Sequence, residues 1–395
     1  MKKKLIFVTR ALWIGGIESA LVNLLNALDY EKFDATCLVL RASLEMAGRI
    51  TPQCRLVAAD REKTVTFGKP YLFSRLYHLT EECGTPSRLH RCFLWAVPGI
   101  KWVENRLYIR YIRKHLKNQR YDTCIIYSDT AAETAVRAVK ADRYLLFYHH
   151  GSLRRVYHDE IGCKRAEKII TVSEPALEKL KAFRPAYARK MLAVPNLADA
   201  SRVRELAREA PETVFPEGQF HLVTCGRLAE EKGIDLAVRA CRLLLDRGHA
   251  DLHWWIIGGG PEEERLKALV AEQELADHVH LLGMQDNPYP CMAAADLYVQ
   301  PSRFENHCMG ILEARILCLP ILATKAAGNG QIRSGENGML CEGTPESIAG
   351  AVEYLRLHGE EREKYIRFAR ENSPEGENGK HLKTLERLFA GEENG

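Results

Sequence analysis

Two glutamates stand eight positions apart in the segment P-S-R-F-E-N-H-C-M-G-I-L-E-A, which extends from Pro301 to Ala314. Glu305 follows an apolar run that predicts a strand, and Glu313 lies in an apolar segment that predicts a helix. A carboxylate can accept hydrogen bonds from a pair of sugar hydroxyls. Free amides at the start of a helix can hold a phosphate. One loop-to-helix unit could therefore offer two carboxylates and a helix N-terminus to one ligand.

A cationic pair follows another predicted strand. Arg227 and Lys232 are five positions apart in G-R-L-A-E-E-K-G, which begins at Gly226 directly after an apolar run. An arginine fork together with a lysine point charge suits a diphosphate. Two solvated surface cations are the commoner outcome for such a pair. The position just past a buried strand favours the diphosphate.

Glycines follow two further predicted strands. Gly15 and Gly16 precede a helix predicted over Ser19–Leu28, and Gly258 opens a G-G-G-P segment. Glycine lets a ligand approach the backbone closely. A tight turn is the alternative in both places, and the spacing is not the G-x-G-x-x-G of dinucleotide-binding proteins. Met284 follows another predicted strand, and on this ground alone it could lie against a nucleotide base.

His149 and His150 follow a predicted strand in the sequence H-H-G-S. Histidines at a strand's carboxyl end could donate hydrogen bonds or exchange protons, and a structural role is an equal alternative. The sequence has no D-x-D, no H-E-x-x-H and no cluster of His, Cys and Asp with ligand spacing, so we expect no protein-bound metal. The P-loop pattern G-x-x-x-x-G-K-[ST] is also missing, which argues against a P-loop kinase.

These residues need elements that bring strand ends together, and the chain has a repeating pattern for this. Short apolar runs alternate with helix-length segments, which is typical of buried parallel strands with crossover helices. The pattern occurs twice, before and after a polar segment that ends at Gly218. The predicted strands are Leu5–Val8, Ala35–Leu40, Thr123–Tyr127, Tyr144–Tyr148 and Lys168–Val172, then His221–Cys225, His253–Ile257, His278–Leu281, Leu297–Gln300 and Ile321–Ala323.

The predicted fold class is therefore α/β, with two doubly wound, Rossmann-like domains that face each other across a cleft. We place the first domain at residues 1–197 and the second at 198–377. The segment Ser373–Gly379, rich in Gly, Glu and Asn, is predicted to be a tail. Apolar residues at helical spacing predict a last helix over 378–391, which we expect to return to the first domain.

Bulk properties restrict the class of protein. A chain of 395 residues with 46% hydrophobic and 27% charged residues is typical of a globular protein with two domains. The net charge of +4 is too small to indicate nucleic acid. Twelve cysteines without a C-x-x-C pair predict reduced, buried thiols in a cytoplasmic protein. The apolar run after M-K-K-K ends after four residues, so it predicts a strand, and no 18-residue apolar segment predicts a membrane span.

Residues 101–120 are the electrostatic exception. Seven Lys or Arg residues and one Glu alternate there with aromatic and aliphatic residues. Such a helix could lie on an anionic membrane surface, where each cation contributes up to about 1 kcal/mol. An ordinary packed helix with a solvated cationic face is nearly as well supported, and a nucleic-acid patch is a third interpretation. We slightly favour the membrane surface and expect no nucleic-acid partner.

The order of these motifs resembles glycosyltransferase family 4, whose fold is called GT-B. The resemblance covers nearly the whole chain and is strongest over 221–343. The two glutamates match the family's signature, and the Arg–Lys pair and the first glycine pair match two more of its motifs. Y-H-H-G resembles the family's W-x-H-G and points to His150, and the segment from Asn196 to Asp199 resembles its N-x-x-D.

The resemblance implies a role for each motif. The second domain would bind a nucleotide sugar and the first domain the acceptor. Glu313 would accept the ribose hydroxyls, and Glu305 would contact the donor sugar. The remaining implied catalytic residues are His150, Arg227 and Lys232, and the remaining implied donor-binding residues are Gly15, Gly16, Asn196, Gly226, Gly258, Met284, Gly310, Ile311 and Leu312.

The implied activity is a retaining hexosyl transfer without a metal or another cofactor. A UDP-sugar is the first choice of donor and a GDP-sugar the second. The acceptor would be a membrane-linked saccharide in cell-surface polysaccharide or glycolipid synthesis, reached from the inner face of the plasma membrane. Two residues depart from the family, Asn306 where glycine is usual and Gln331 where an acid is common, and they leave the donor sugar open. A non-catalytic nucleotide-sugar binder or scaffold is the alternative, and the glycine spacing argues against a nicotinamide-dependent dehydrogenase.

Overall fold

The structure is a computed structural model that describes residues 1–41, 43–59, 105–149, 160–211, 213–328 and 330–392. Within these residues the chain forms two parallel β-sheets with helices against their faces. The change from the first sheet to the second falls between Ala193 and Phe220. The α/β class and the two Rossmann-like units are confirmed, and the division at residues 197 and 198 stays a prediction.

The first sheet has the strand order β3-β2-β1-β4-β5-β6-β7 in the described part of the chain, and all its pairs are parallel. Its central strands are apolar on both faces because helices cover both sides. The strands are β1 (Lys3–Thr9), β2 (Phe33–Val39), β3 (Arg55–Ala58), β4 (Arg120–Ile126), β5 (Lys140–Tyr148), β6 (Lys168–Thr171) and β7 (Met191–Ala193).

The second sheet repeats this plan with the order β10-β9-β8-β11-β12-β13. Apolar side chains pack on both of its faces, with Trp254 and Ile256 in one cluster and Trp255 and Ile257 in the other. The strands are β8 (Phe220–Cys225), β9 (Leu252–Ile257), β10 (Val279–Gly283), β11 (Leu297–Gln300), β12 (Ile321–Thr324) and β13 (Met339–Cys341).

The helices connect successive parallel strands. Several begin where the sequence supplies a cap, as when the Thr344 hydroxyl accepts from Ser347 N at 3.3 Å. The described helices are α1 (Gly16–Ala27), α2 (105–115), α3 (Ala132–Ala138), α4 (Glu160–Arg165), α5 (Glu174–Phe183), α6 (Ala200–Leu206), α7 (Ile234–Asp246), α8 (Glu263–Glu272), α9 (Tyr289–Ala293), α10 (Met309–Ile316), α11 (Lys325–Gly328), α12 (Pro345–Leu357), α13 (Gly359–Glu371) and α14 (Pro374–Ala390).

The last helix, α14, returns to the first sheet as expected. The ring of Phe389 is buried and meets Phe7 edge-on at 5.5 Å, and the Thr123 hydroxyl donates to the Phe389 carbonyl at 2.8 Å. The prediction of a tail over Ser373–Gly379 is wrong, because α14 already begins at Pro374. An ion pair from Arg204 to Glu375 at 2.6 Å supports this first turn despite its poor helix formers.

The strand order reverses direction beside β1 in the first sheet and beside β8 in the second. In open α/β sheets, ligands bind outside the carboxyl ends of the strands at such reversals. The loops at these places hold the first glycine pair, the Arg–Lys pair and Glu305. The topology therefore brings the predicted site segments to two facing sheet edges. None of the described helices combines the length and the apolar composition needed to cross a bilayer.

Candidate functional site

The loop after β1 and the loop before α10 meet between the two sheets. A Cβ placed on Gly16 would lie 3.5 Å from Cγ of Met309, the first residue of α10. The Asn306 side-chain amide donates to the carbonyl of His149, at the end of the first unit's β5, at 3.0 Å. Segments that are almost 300 residues apart in sequence thus form the two walls of one narrow cleft.

Lys232 and Glu305 form a direct ion pair in this cleft. Lys232 Nζ lies 2.6 Å from Glu305 Oε1, and only 23% and 11% of the two side chains are exposed. Burial lowers the pKa of Lys232, but the charge and hydrogen bond of Glu305, together with the neighbouring Cys308 and Glu231, leave that pKa raised. Lys232 therefore stays charged at neutral pH and holds its ammonium group against the Glu305 carboxylate.

A buried chain of hydrogen bonds fixes Glu305 from behind. Ser302 Oγ donates to Glu305 Oε1 at 2.9 Å and accepts from Gln300 Nε2 at 2.8 Å, and Gln300 Oε1 accepts from Tyr298 Oη at 2.5 Å. Both bonds to Glu305 use Oε1, and no hydrogen bond within the described residues uses Oε2. Sequence reasoning missed this chain. Its signal was a polar residue at every second position of an otherwise apolar strand.

Glu313 lies on the cleft side of α10 and pairs with a tyrosine. Tyr289 Oη donates to Glu313 Oε1 at 3.2 Å. Burial raises the pKa of Glu313 to about 7, and the tyrosine bond acts in the opposite direction. The carboxylate is desolvated, and the Tyr289 phenol is its only hydrogen-bond donor among the described residues, so most of its acceptor sites are unsatisfied. It is therefore suited to accept bonds from ligand hydroxyls.

Helix α10 presents a close-packed N-terminus to the same space. Gly310 has no tolerance for a side chain, because a Cβ there would lie 2.1 Å from Tyr298 Oη. Ile311 and Leu312 are buried and anchor the helix in the second unit. The first amides of an α-helix have no partner within the helix. The amides at the start of α10 can therefore meet a ligand beside Glu305.

The other predicted site residues near the second sheet form no contacts of this kind. Arg227 is exposed and has no ion pair within the described residues, and Met284 is 52% exposed. Gly226 and Gly258 pack backbone against backbone, because a Cβ on Gly258 would lie 1.9 Å from Gly226 O. Asn196 is partly exposed after β7.

Fewer of the predicted site residues in the first unit lie within the described residues. Gly15 and Gly16 precede and open α1, with an extended Gly15 as N-cap. His150 lies outside the described residues, so its predicted contact with a transferred sugar stays a prediction. Its neighbour His149 is buried, and its ring packs 4.5 Å from Tyr127 and 5.6 Å from Phe147. The described residues hold no group of three or more His, Cys, Asp or Glu side chains arranged for a metal ion.

Comparison with known proteins matches part of the chain to a family model. Residues 207–372 match the family model described as Glycosyl transferases group 1. Among curated relatives, a lipopolysaccharide core biosynthesis glycosyltransferase, LpsE of Rhizobium meliloti, is 28% identical over 171 residues, which are 43% of this chain and 48% of that protein. D-inositol 3-phosphate glycosyltransferase of Pseudarthrobacter chlorophenolicus is 32% identical over 198 residues, 48% of this chain and 47% of that protein. The chain thus aligns with about half the length of these relatives.

The likeness of fold extends over the whole chain. A TarM variant of S. aureus, solved with fondaparinux, α-GlcNAc-glycerol and UDP, superposes with a TM-score of 0.71 at 12% identity and covers 98% of this chain and 99% of that one. The two units, their sheet topologies and the cleft between them are therefore those of a known two-domain architecture.

Proposed function

We propose that this chain, which has the GT-B fold and whose residues 207–372 match the family model of the glycosyl transferases group 1, transfers a sugar from a nucleotide sugar to a saccharide acceptor. The observation that carries the proposal is the largely buried Lys232–Glu305 pair at 2.6 Å, in which the second carboxylate oxygen, Oε2, has no hydrogen bond within the described residues. A charge pair placed at the point where two sheets face each other serves a ligand with both sugar hydroxyls and phosphates.

Each site residue has a task in this reaction. Glu313 accepts the ribose hydroxyls, and Glu305 Oε2 with the amides of α10 contacts the donor sugar. The bond between the anomeric carbon and the diphosphate oxygen breaks, an acceptor hydroxyl bonds to that carbon on the same face, and its proton leaves with the diphosphate. Lys232 and Arg227 stabilise the charge that develops on the departing diphosphate. The donor is a hexose nucleotide of uridine, with guanosine as the second choice.

The reaction proposed here needs no bound metal, because the two cations can carry the charge of the diphosphate. We expect activity to persist in a chelator. An enzyme that loses its turnover in the chelator and regains it with a divalent cation would contradict this part of the proposal.

The acceptor is a saccharide linked to a lipid, in the synthesis of a cell-surface polysaccharide or glycolipid, and the relative LpsE carries a name of this kind. Helix α2 supports a membrane-facing surface. Tyr108 and Ile112 are buried, whereas an exposed stripe at helical spacing holds Leu107, Arg110 and Lys114, and Lys117 is exposed in the turn after the helix. One apolar and two cationic side chains on one face, with a third cation just beyond the helix, suit the cytoplasmic leaflet.

Liposome flotation tests this surface. We expect binding to vesicles with anionic lipid, weaker binding at high salt, and a clear loss in a variant with Arg110, Lys114 and Lys117 changed to Gln. The matched control changes three exposed cations of the second unit, Arg239, Lys267 and Lys364. Equal binding of the wild type to neutral and anionic vesicles would remove the electrostatic account.

The experiment that tests the transfer itself is thermal stabilisation against a panel of nucleotide sugars, followed by turnover with the donors that bind. We expect one donor to stabilise the chain and to release its nucleotide with an acceptor present. Arg227→Ala should keep the stabilisation and lower turnover about 10²–10³-fold. Arg239→Ala, which removes an exposed arginine on the outer side of α7, is the control.

The alternative function is a non-catalytic nucleotide-sugar binder or scaffold. It is distinguished by the same experiment, because a binder is stabilised by the donor but releases no nucleotide with any acceptor. The ordered Lys232–Glu305 pair favours the enzyme, since binding alone does not require a charge-stabilising lysine held against the sugar-contacting carboxylate.

A further inference from the structure

The side chain of Gln331 holds the backbone residue from which α10 begins. The Cys308 N–H donates to Gln331 Oε1 at 2.7 Å, and Gln331 Nε2 donates to the Cys308 carbonyl at 3.0 Å. Both residues are buried. One amide group therefore closes a ring of two hydrogen bonds with a single backbone residue, 23 positions away in sequence.

Cys308 is the N-cap of α10, and its thiol makes no capping hydrogen bond. Burial raises the pKa of that thiol to about 12, so it carries no charge. The position of the first turn therefore depends on how the Cys308 backbone is held. Gln331 is itself fixed, since its carbonyl accepts from Asn337 Nδ2 at 3.0 Å and its N–H donates to Gly328 O at 2.9 Å.

We propose that Gln331 is a positioning residue for the sugar-contacting segment Glu305–Gly310, through its two hydrogen bonds to Cys308. This inference rests on the proposed function, because it gives that segment a ligand. The pairing requires one donor and one acceptor on the same side chain. A neutral amide provides both, whereas an ionised carboxylate provides only acceptors and would face the Cys308 carbonyl with a second negative oxygen.

Gln331→Glu tests this proposal, because the introduced carboxyl group offers a donor and an acceptor when protonated but only acceptors when ionised. A protonated carboxyl repeats both hydrogen bonds of the amide, and the buried position opposes ionisation. We expect turnover near that of the wild type at low pH, and a loss of about tenfold or more as the introduced carboxyl ionises. The wild type should lack this ionisation. Gln331→Met, of similar size but without polar atoms, should be impaired by a similar factor at every pH.

Three measurements make the outcome decisive. We call the two hydrogen bonds from Gln331 to Cys308 the clamp. The dissociation constant of UDP alone should stay near the wild-type value in the variants, because the clamp positions the segment that contacts the sugar rather than the nucleotide. A pH–rate profile of Gln331→Glu that coincides with the wild-type profile would overturn the inference. If the wild type transfers no sugar from any donor, the proposed function fails, and the clamp is then judged by thermal unfolding. A variant that loses stability relative to the wild type on ionisation supports the clamp, and a constant difference overturns it.

Discussion

Individual residues of the cleft are held in states that cost stability, and Glu313 is the clearest of them. Its carboxylate is desolvated, has one tyrosine as its donor, and has a pKa raised to about 7. Lys232 and Glu305 differ, since each compensates the other's charge. A lone buried carboxylate is retained at a site only if something else stabilises it, and the ribose hydroxyls of the proposed donor would do so.

Glu313→Gln should therefore stabilise the ligand-free protein and weaken nucleotide binding. The folded-state pKa lies above the unfolded value, so the contribution to stability is fully present below about pH 4.5 and is lost as pH rises through about 7. At pH 8 the variant should gain about 2–3 kcal/mol in free energy of unfolding, measured by denaturant titration.

Glu313→Gln should also weaken UDP binding at pH 8, which isothermal titration calorimetry measures. In the wild type, UDP affinity should fall as pH decreases below about 7, because protonation removes an acceptor. Glu272→Gln, at an exposed glutamate in the last turn of α8, is the control. A variant with unchanged stability and unchanged affinity would show that Glu313 has neither the burial cost nor the ribose contact argued here.

At the scale of elements, the second sheet carries a cluster of neutral histidines away from the cleft. His280 stacks on Trp255 at 4.0 Å and hydrogen-bonds to His253 Nδ1 at 2.9 Å. Burial and the neighbouring His253 and His278 lower the pKa of His280 to about 4. Burial of the ring nitrogens lowers the pKa of His307, a half-buried residue beside α10, to a similar value. Between about pH 4 and 6.5, these histidines are therefore neutral in the folded protein and protonated in the unfolded chain.

We expect the free energy of unfolding to decrease as pH falls from about 6.5 to about 4. His280→Phe keeps the ring stacking and removes one proton from the balance. Across this pH range, the free energy of unfolding of the variant should fall by about 1–2 kcal/mol less than that of the wild type. The effect is smaller than for a fully buried ring, because solvent screens the half-exposed imidazole. Equilibrium unfolding at several pH values measures it. Parallel curves for the two proteins would contradict the assignment to His280.

The elements also show how far the sequence alone reaches. All ten predicted strands are present, because central parallel strands are continuous apolar runs. The missed strands, Arg55–Ala58, Met191–Ala193 and Met339–Cys341, are short edge strands that have no such run. Residue types predicted the carboxylates and cations of the site. The clamp of Gln331 on Cys308 could not be predicted, because its partner is a backbone group that any residue at that position would supply.

At the scale of the whole molecule, the two units touch at the segment that bears Glu305. Asn306 Nδ2 donates to His149 O at 3.0 Å, and the Lys179 ammonium lies 4.7 Å from the centre of the Phe304 ring. Arg49 donates to the carbonyl of Asp286 at 2.9 Å on another part of the cleft. Besides these polar contacts, one small apolar cluster joins Ala20 of α1 to Met309, Leu312 and Ile316 of α10. An interface that is partly polar and small in its apolar part suits a cleft that must open to exchange its ligand.

Asn306→Ala should therefore favour the open cleft. The sequence places Asn306 beside Glu305, the proposed sugar contact, but the Asn306 amide donates to the other unit, so its loss should act on closure. One neutral hydrogen bond contributes about 0.5–1.5 kcal/mol, which corresponds to a two- to tenfold shift of the open–closed equilibrium. UDP should dissociate faster by that factor in stopped-flow experiments, and small-angle scattering should give a larger radius of gyration. Asn372→Ala, at an exposed helix end, should change neither quantity, and a normal release rate together with an altered preference among donor sugars would instead assign Asn306 to the sugar.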